Sequence, residues 1–166
     1  MPVTEKTPLG ATTTNRKWYL DIDTGTAGSP LWAGVFGITS FTPTVNGNLQ
    51  DDSDFDSAGW GSQTNTQNAW ENAGTVRRGV TAADATVYDP GQEFLRAAAS
   101  KTGVGNSVHV RWYEMEPNGP RVEAYEGDAA TSWTEDGGDT TALSTASFVL
   151  AGQGARIETA HPDGVV

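Results

Sequence analysis

"NLQDDSDFDSAGWGSQTNTQNAW", residues 48–70, sets Asp51, Asp52, Asp54 and Asp56 close together and then runs through small polar residues between Trp60 and Trp70. No periodic apolar pattern appears from 46 to 68. A structureless segment longer than about 15 residues inside a compact domain is generally functional or disordered. The segment is therefore expected as a long mobile loop. Three roles compete for it: a metal-binding loop, the rim of an active site, or a surface ordered only when another copy of the chain covers it.

The flanking sequence alternates at strand period. In "RKWYLDID", residues 16–23, Trp18, Leu20 and Ile22 share one face while Lys17, Tyr19 and Asp21 share the other. "LWAGVFGITSFTPTV", residues 31–45, has strand density but is interrupted by Gly34, Gly37 and Pro43, which suits a bulged or edge strand. After the opening stretch, "AWENAGTVRRGVTA" resumes a strand with Trp70, Val76 and Val80 on one parity. "SVHVRWYEM" and "RVEAY" form a strand pair reversed near Asn118-Gly119, and two further strands flank the Asp136-Gly137 turn, the second with Ala146, Phe148 and Leu150 as its core face.

Helix signals converge only in "DPGQEFLRAAASKTG". Asp89 caps, Pro90 suits the first helical position, Gln92 completes a capping box, Phe94, Leu95 and Ala98 make an apolar stripe, and Gly103 stops the run. The expected helix covers 90–101. The order of elements predicts a mainly β, α+β chain: an antiparallel sandwich or barrel with one flanking helix. A mobile arm over 1–15, a single domain over 16–160 and a short tail over 161–166 complete the expected organisation.

The chain has 166 residues, enough for one domain with a sizeable core. It contains no cysteine, which excludes disulfides, thiolate nucleophiles and Cys-bearing zinc sites. Twenty glycines and 22 threonines favour strands and turns over helices. The 21 acidic and 10 basic residues leave a formal charge of -11, a surface that repels nucleic-acid phosphates and anionic lipid. No stretch is long and apolar enough to serve as a signal-peptide core or a membrane span, so a soluble protein made in the cytoplasm is expected.

Chemical candidates are sparse. Asp52, Asp54 and Asp56 match the first, third and fifth ligands of an EF-hand-like calcium loop, but Ser57 stands where the turn glycine belongs and Gln63 replaces the bidentate glutamate. His109 and His161 lie in no triad or metal-ligand spacing. Paired carboxylates and six tryptophans would suit a glycosidase or a calcium-assisted, aromatic-platform carbohydrate-binding module. Trp18, Trp70 and Trp112, however, fall on the parity of apolar strand neighbours, which favours core packing. "AGQGAR" lacks the glycine spacing and following helix of a phosphate loop. No cofactor, no metal site and no catalytic residues are expected.

Three segments carry a resemblance: "ITSFTPTVNGNLQDDSDFDSAGWGSQTNTQNAWENAGTV", "DPGQEFLRAAASKTG" and "GDAATSWTEDGGDTTALSTASFVLAGQGARIETAH". In pattern and order, from about residue 16 to 161, they resemble the major tail proteins, or tail tube proteins, of bacteriophages with long non-contractile tails (siphophages). The resemblance implies a β-sandwich or barrel with a flanking helix, assembled as hexameric rings that stack into a tube through which the genome is ejected. It implies a virion protein made in the host cytoplasm, whose partners are further copies of itself, a tape measure protein, and tail-tip and terminator proteins. It also implies that phage DNA passes the lumen without specific binding and that no membrane is involved. An added C-terminal immunoglobulin-like domain, which some relatives carry, is not expected here.

On that reading Asp51, Asp52, Asp54, Phe55, Asp56 and Trp60 form an inter-subunit loop. Arg16, Lys17, Arg77 and Arg78 are its expected basic partners on a neighbour. Glu114, Glu116 and Glu123, with Tyr125, are the candidate lumen wall.

Overall fold

A computed structural model describes residues 7–117 and 119–163. The strands are β1 (Trp18–Asp23), β2 (Trp32–Gly34), β3 (Ile38–Asp51), β4 (Gln63–Arg77), β5 (Ser107–Glu114), β6 (Ala124–Glu135), β7 (Thr145–Gly152) and β8 (Ile157–Glu158), with one helix, α1 (Pro90–Ala99), between β4 and β5. Seven strands run antiparallel in the order β2-β1-β5-β6-β7-β4-β3, and β8 pairs with β6. The architecture is the mainly antiparallel β class with one helix that the sequence predicts.

The inward parities build one core. Leu20 and Ile22 of β1, Val108, Val110 and Trp112 of β5, Ala146, Phe148 and Leu150 of β7, and Trp70 and Val76 of β4 are buried together. Trp18 of β1 packs its ring 6.1 Å from that of Phe41 of β3, bringing the two sides of the sheet together across this core. The helix contributes Leu95 and Ala98. Gly91 lets it approach closely, since a Cβ there would stand 2.4 Å from the Gly34 carbonyl oxygen.

Several boundaries differ from the sequence reading. The segment 31–45 is two strands, because the chain turns at Gly37, whose φ of +79° favours glycine and whose carbonyl accepts from the Arg77 N–H. The end of "RVEAY", Ala124 and Tyr125, and "TSWTE" belong to one strand, β6, which pairs first with β5 and then with β7 and changes partner at Ala129–Ala130, while residues 121–123 lie before it. Val80 lies outside β4, exposed. Asp89 accepts from the Gln92 N–H as the helix cap, but the Gln92 side chain does not close a capping box: it donates to the Phe36 and Arg77 carbonyls at 2.7 and 3.0 Å. Phe94 points outward, so the buried stripe is Gly91, Gln92, Leu95 and Ala98. The expected reversal at Asn118-Gly119 falls partly outside the described residues, as do 1–6 of the expected arm and 164–166 of the tail.

The largest difference concerns 46–68. Only its centre is loop; residues 46–51 and 63–68 continue β3 and β4 in one antiparallel ladder from Ile38↔Val76 to Asp51↔Gln63. Strand periodicity is visible only when one face is buried. Every residue of 46–51 and 63–69 is exposed, so no apolar alternation marks these strands.

Candidate functional site

The β3–β4 hairpin has two halves. Near its root, Glu71–Arg77 of β4 also pair with β7, so both edges of β4 are bonded. Beyond Glu71, β4 pairs with β3 alone and the two strands continue as a polar ribbon with no core behind them. Trp70 marks the change. It is 5% exposed, donates its indole N–H to the Gly154 carbonyl at 3.0 Å, and packs 4.8 Å from the Trp112 ring. Gly127 and Gly152 make room for it: added Cβ atoms would meet the indole at 2.8 and 2.4 Å.

The tip is ordered by its own aspartates. Asp51 accepts from the Ser53 N–H at 2.9 Å, and Asp52 accepts from the Thr64 hydroxyl across the ribbon. Asp54 caps a 3-10 turn over Phe55–Ser57, accepting from the Asp56 N–H and the Ser57 hydroxyl. Ala58 at φ +51° and Gly59 at φ +80° then reverse the chain. Hydrogen bonds from Ser53 hold Asp51 below the usual carboxylate range, and those from Thr64 and Ser62 do the same for Asp52, so both stay charged at neutral pH. Phe55 stands fully in solvent beside them, and Trp60 is 81% exposed.

These bonds change the meaning of the aspartate spacing. The carboxylates serve the local turn, and among the described residues no group of three or more His, Asp or Glu side chains is arranged to hold a metal. Both histidines are structurally placed. His161 donates to the Glu114 carbonyl at 2.7 Å, and His109 faces Asp128 beside Trp32.

The four basic residues expected as contacts divide into two pairs. Lys17 is tied within the chain to Glu114 at 2.8 Å. Arg78, nearly buried, pairs with Glu93, bonds the Gln92 side chain and lies against the Tyr88 and Trp133 rings. Both are removed from the set of free contact residues, because each already satisfies a buried partner. Arg16 and Arg77 are exposed and have no carboxylate partner among the described residues.

The candidate lumen wall is corrected in the same way. Glu114 is 4% exposed and accepts from Lys17 and, at 3.4 Å, from the Val122 and Glu123 N–H groups. It is a buried ion-pair partner and lines no surface. Glu116 receives the Thr14 hydroxyl and is partly covered, while Glu123 is exposed. Sequence reasoning missed the roles of Glu114 and Gln92 because nothing local distinguishes a buried polar side chain from a solvated one. Its one available signal was parity, which puts Glu114 in register with Val108, Val110 and Trp112.

No protein-family model and no curated protein sequence matches the chain. Solved structures do. The fold is shared with a chain in the virion of a native gene transfer agent particle, at 12% identity over 90% of this chain and 100% of that one, with a TM-score of 0.62. A chain in the tail of an empty gene transfer agent particle, of C6 symmetry, aligns at 14% identity over 90% and 100%, with a TM-score of 0.61. A chain from a six-fold symmetrised anti-feeding prophage baseplate aligns at 11% identity over 93% and 97%, with a TM-score of 0.52. At these identities the likeness establishes a common fold, one found in the chains of tail-bearing particles.

Proposed function

We propose that the chain is a structural tail protein: the repeating subunit of a tail tube, which forms rings of six that stack around a DNA conduit. The observation that carries this reading is the hairpin. A β ribbon exposed on both faces, tipped by the exposed rings of Phe55 and Trp60, is a poor feature for an isolated domain and a suitable one for a domain completed by its neighbours. The fold shared with a chain of a C6 tail supports it. The net charge of -11 also suits a conduit, since each retained phosphate contact would add affinity and drag.

In this role the protein performs no catalysis and resides in the virion, made in the host cytoplasm. It contacts copies of itself, and at the tube ends and interior the tape measure, tail-tip and terminator proteins. Glu123 remains a candidate for the conduit wall, with Glu116 beside it.

Negative-stain imaging and sedimentation of the concentrated protein test the reading. Rings or tubes of uniform diameter are expected from the unaltered chain, and a Phe55→Ser, Trp60→Ser double variant is expected to stay dispersed with an unchanged circular dichroism spectrum. A monodisperse monomer at every concentration, or a variant that assembles as well as its parent, defeats it.

A further inference from the structure

The base of the hairpin, at the opposite end from its tip, carries an open groove of about 360 Å³. Phe36, Val80, Ala82, Pro90 and the side of Arg77 line it. Phe36 and Val80 are 65% and 51% exposed, an apolar pair left in water. A second depression continues from it past Phe36 and Gly37 to Arg16. Arg16 and Arg77, two of the three arginines without a carboxylate partner among the described residues, thus lie at one place, either side of Phe36 and Gly37; the third, Arg156, lies elsewhere, against the Tyr125 ring. The one carboxylate in the groove, Asp89, is engaged as the cap of α1.

Tip and base are complementary. The tip offers two solvated aromatic rings and four aspartates; the base offers an apolar recess of a size that holds one aromatic side chain, flanked by unpaired guanidinium groups. They cannot meet within one chain. β3 has 14 residues between them, which at about 3.3 Å per residue separates the two ends by roughly 45 Å.

Building on the reading of the chain as a self-assembling tail subunit, we propose that the groove at the base receives the hairpin tip of a second copy. Phe55 or Trp60 enters the recess between Phe36, Val80 and Pro90, and Arg77 and Arg16 face the tip aspartates. Because donor and receiver are different surfaces at opposite ends of one ribbon, the contact is head-to-tail and repeats from copy to copy instead of closing a symmetric pair. It gives the assembly a direction along the strands of the hairpin. Aromatic burial supplies the affinity, and the charges supply the register.

The absence of cysteine makes a direct test clean. Gly61→Cys places a thiol at the tip where an added Cβ meets nothing, leaving Trp60 in place, and Ala82→Cys places one in the groove. After assembly and treatment with a short bismaleimide, the double variant is expected to run on a denaturing gel as a ladder of many copies, and each single variant no further than a dimer. In a second arm, Arg77→Asp is expected to raise the protein concentration needed for assembly about tenfold, and Asp56→Arg in the same chain to recover part of that loss. Tubes that form from the double-cysteine variant without a ladder overturn the groove assignment and leave the tube reading standing. Failure of the unaltered protein to assemble overturns both.

Discussion

Trp70 stands where the hairpin leaves the sheet, and its replacement should loosen the ribbon at its root. Trp70→Ala removes an almost fully buried indole together with its hydrogen bond to Gly154. Large-to-small changes of this kind cost about 3–5 kcal/mol, a sizeable share of the 5–15 kcal/mol that stabilises a typical domain. For a domain of this size the midpoint of thermal unfolding should fall by roughly 10 °C. Gly152→Ala attacks the same contact from the other side, because its Cβ would lie 2.4 Å from the indole; overpacking of that severity costs about 1–3 kcal/mol. The two losses should not add. Once Trp70 is alanine the clash is gone, so Gly152→Ala should cost close to nothing in that background, an interaction of about 1–3 kcal/mol in a double-mutant cycle. Thermal melts of the four proteins, kept at a concentration where none assembles, measure it. Equal losses from Gly152→Ala in both backgrounds would refute the assignment of Gly152 as the wall that fits Trp70.

Two further outcomes follow from the charges and the turn. Burial pushes the Glu114 carboxyl up, but the Lys17 ammonium and two backbone N–H groups outweigh it and hold the group below its ordinary value of 4.5, while the Glu114 hydrogen bond raises Lys17. A carboxylate depressed in the folded state stabilises it above the unfolded value and loses that contribution as pH falls below about 4.5. Lys17→Met should therefore lower stability near neutrality by about 2 kcal/mol and flatten the acid limb of a plot of Tm against pH; an unchanged limb argues against the pair. At the tip, Ala58 holds a φ of +51°, and Ala58→Gly should relieve about 1 kcal/mol of local strain. The amide of Trp60, bonded to the Ser57 carbonyl at 2.9 Å, should then exchange its hydrogen more slowly, with faster exchange counting against a strained turn.

What the sequence made legible was whatever lies between core and water. β1, β5 and β7 alternate apolar and polar residues because one face of each packs on Trp112, Phe148 and their neighbours. The Asp89-Pro90 start of the helix is visible because capping is local chemistry. The outer halves of β3 and β4 carry Asn, Gln and Thr on both faces, so they give no contrast, and their pairing follows from the ladder between them. The join within β6 was hidden for another reason: "EGDAA" has weak strand propensity, and β5 and β7 on either side impose the conformation. At the candidate site the acidic and aromatic residues of the tip were readable as a cluster. Which of the basic residues remained free was not, since charge is written in the sequence and burial is not.

That division of the basic residues bears on how an acidic chain can associate with itself. Lys17, Arg78, Arg96, Arg111 and Arg121 are all held by carboxylates of their own chain. Such pairs neutralise charge inside the fold and leave a surface on which the acidic excess prevails, so the average approach of two copies is repulsive. An attraction strong enough to overcome this must be short-ranged and concentrated. Solvated aromatics meeting an apolar recess fit that requirement, because burial scales with contact area and is not screened by salt, whereas one or two arginines against four aspartates favour a single alignment out of many. The repulsion then has a use. Under the proposed contact, copies that meet in any other orientation would present like charges without an apolar contact and would separate.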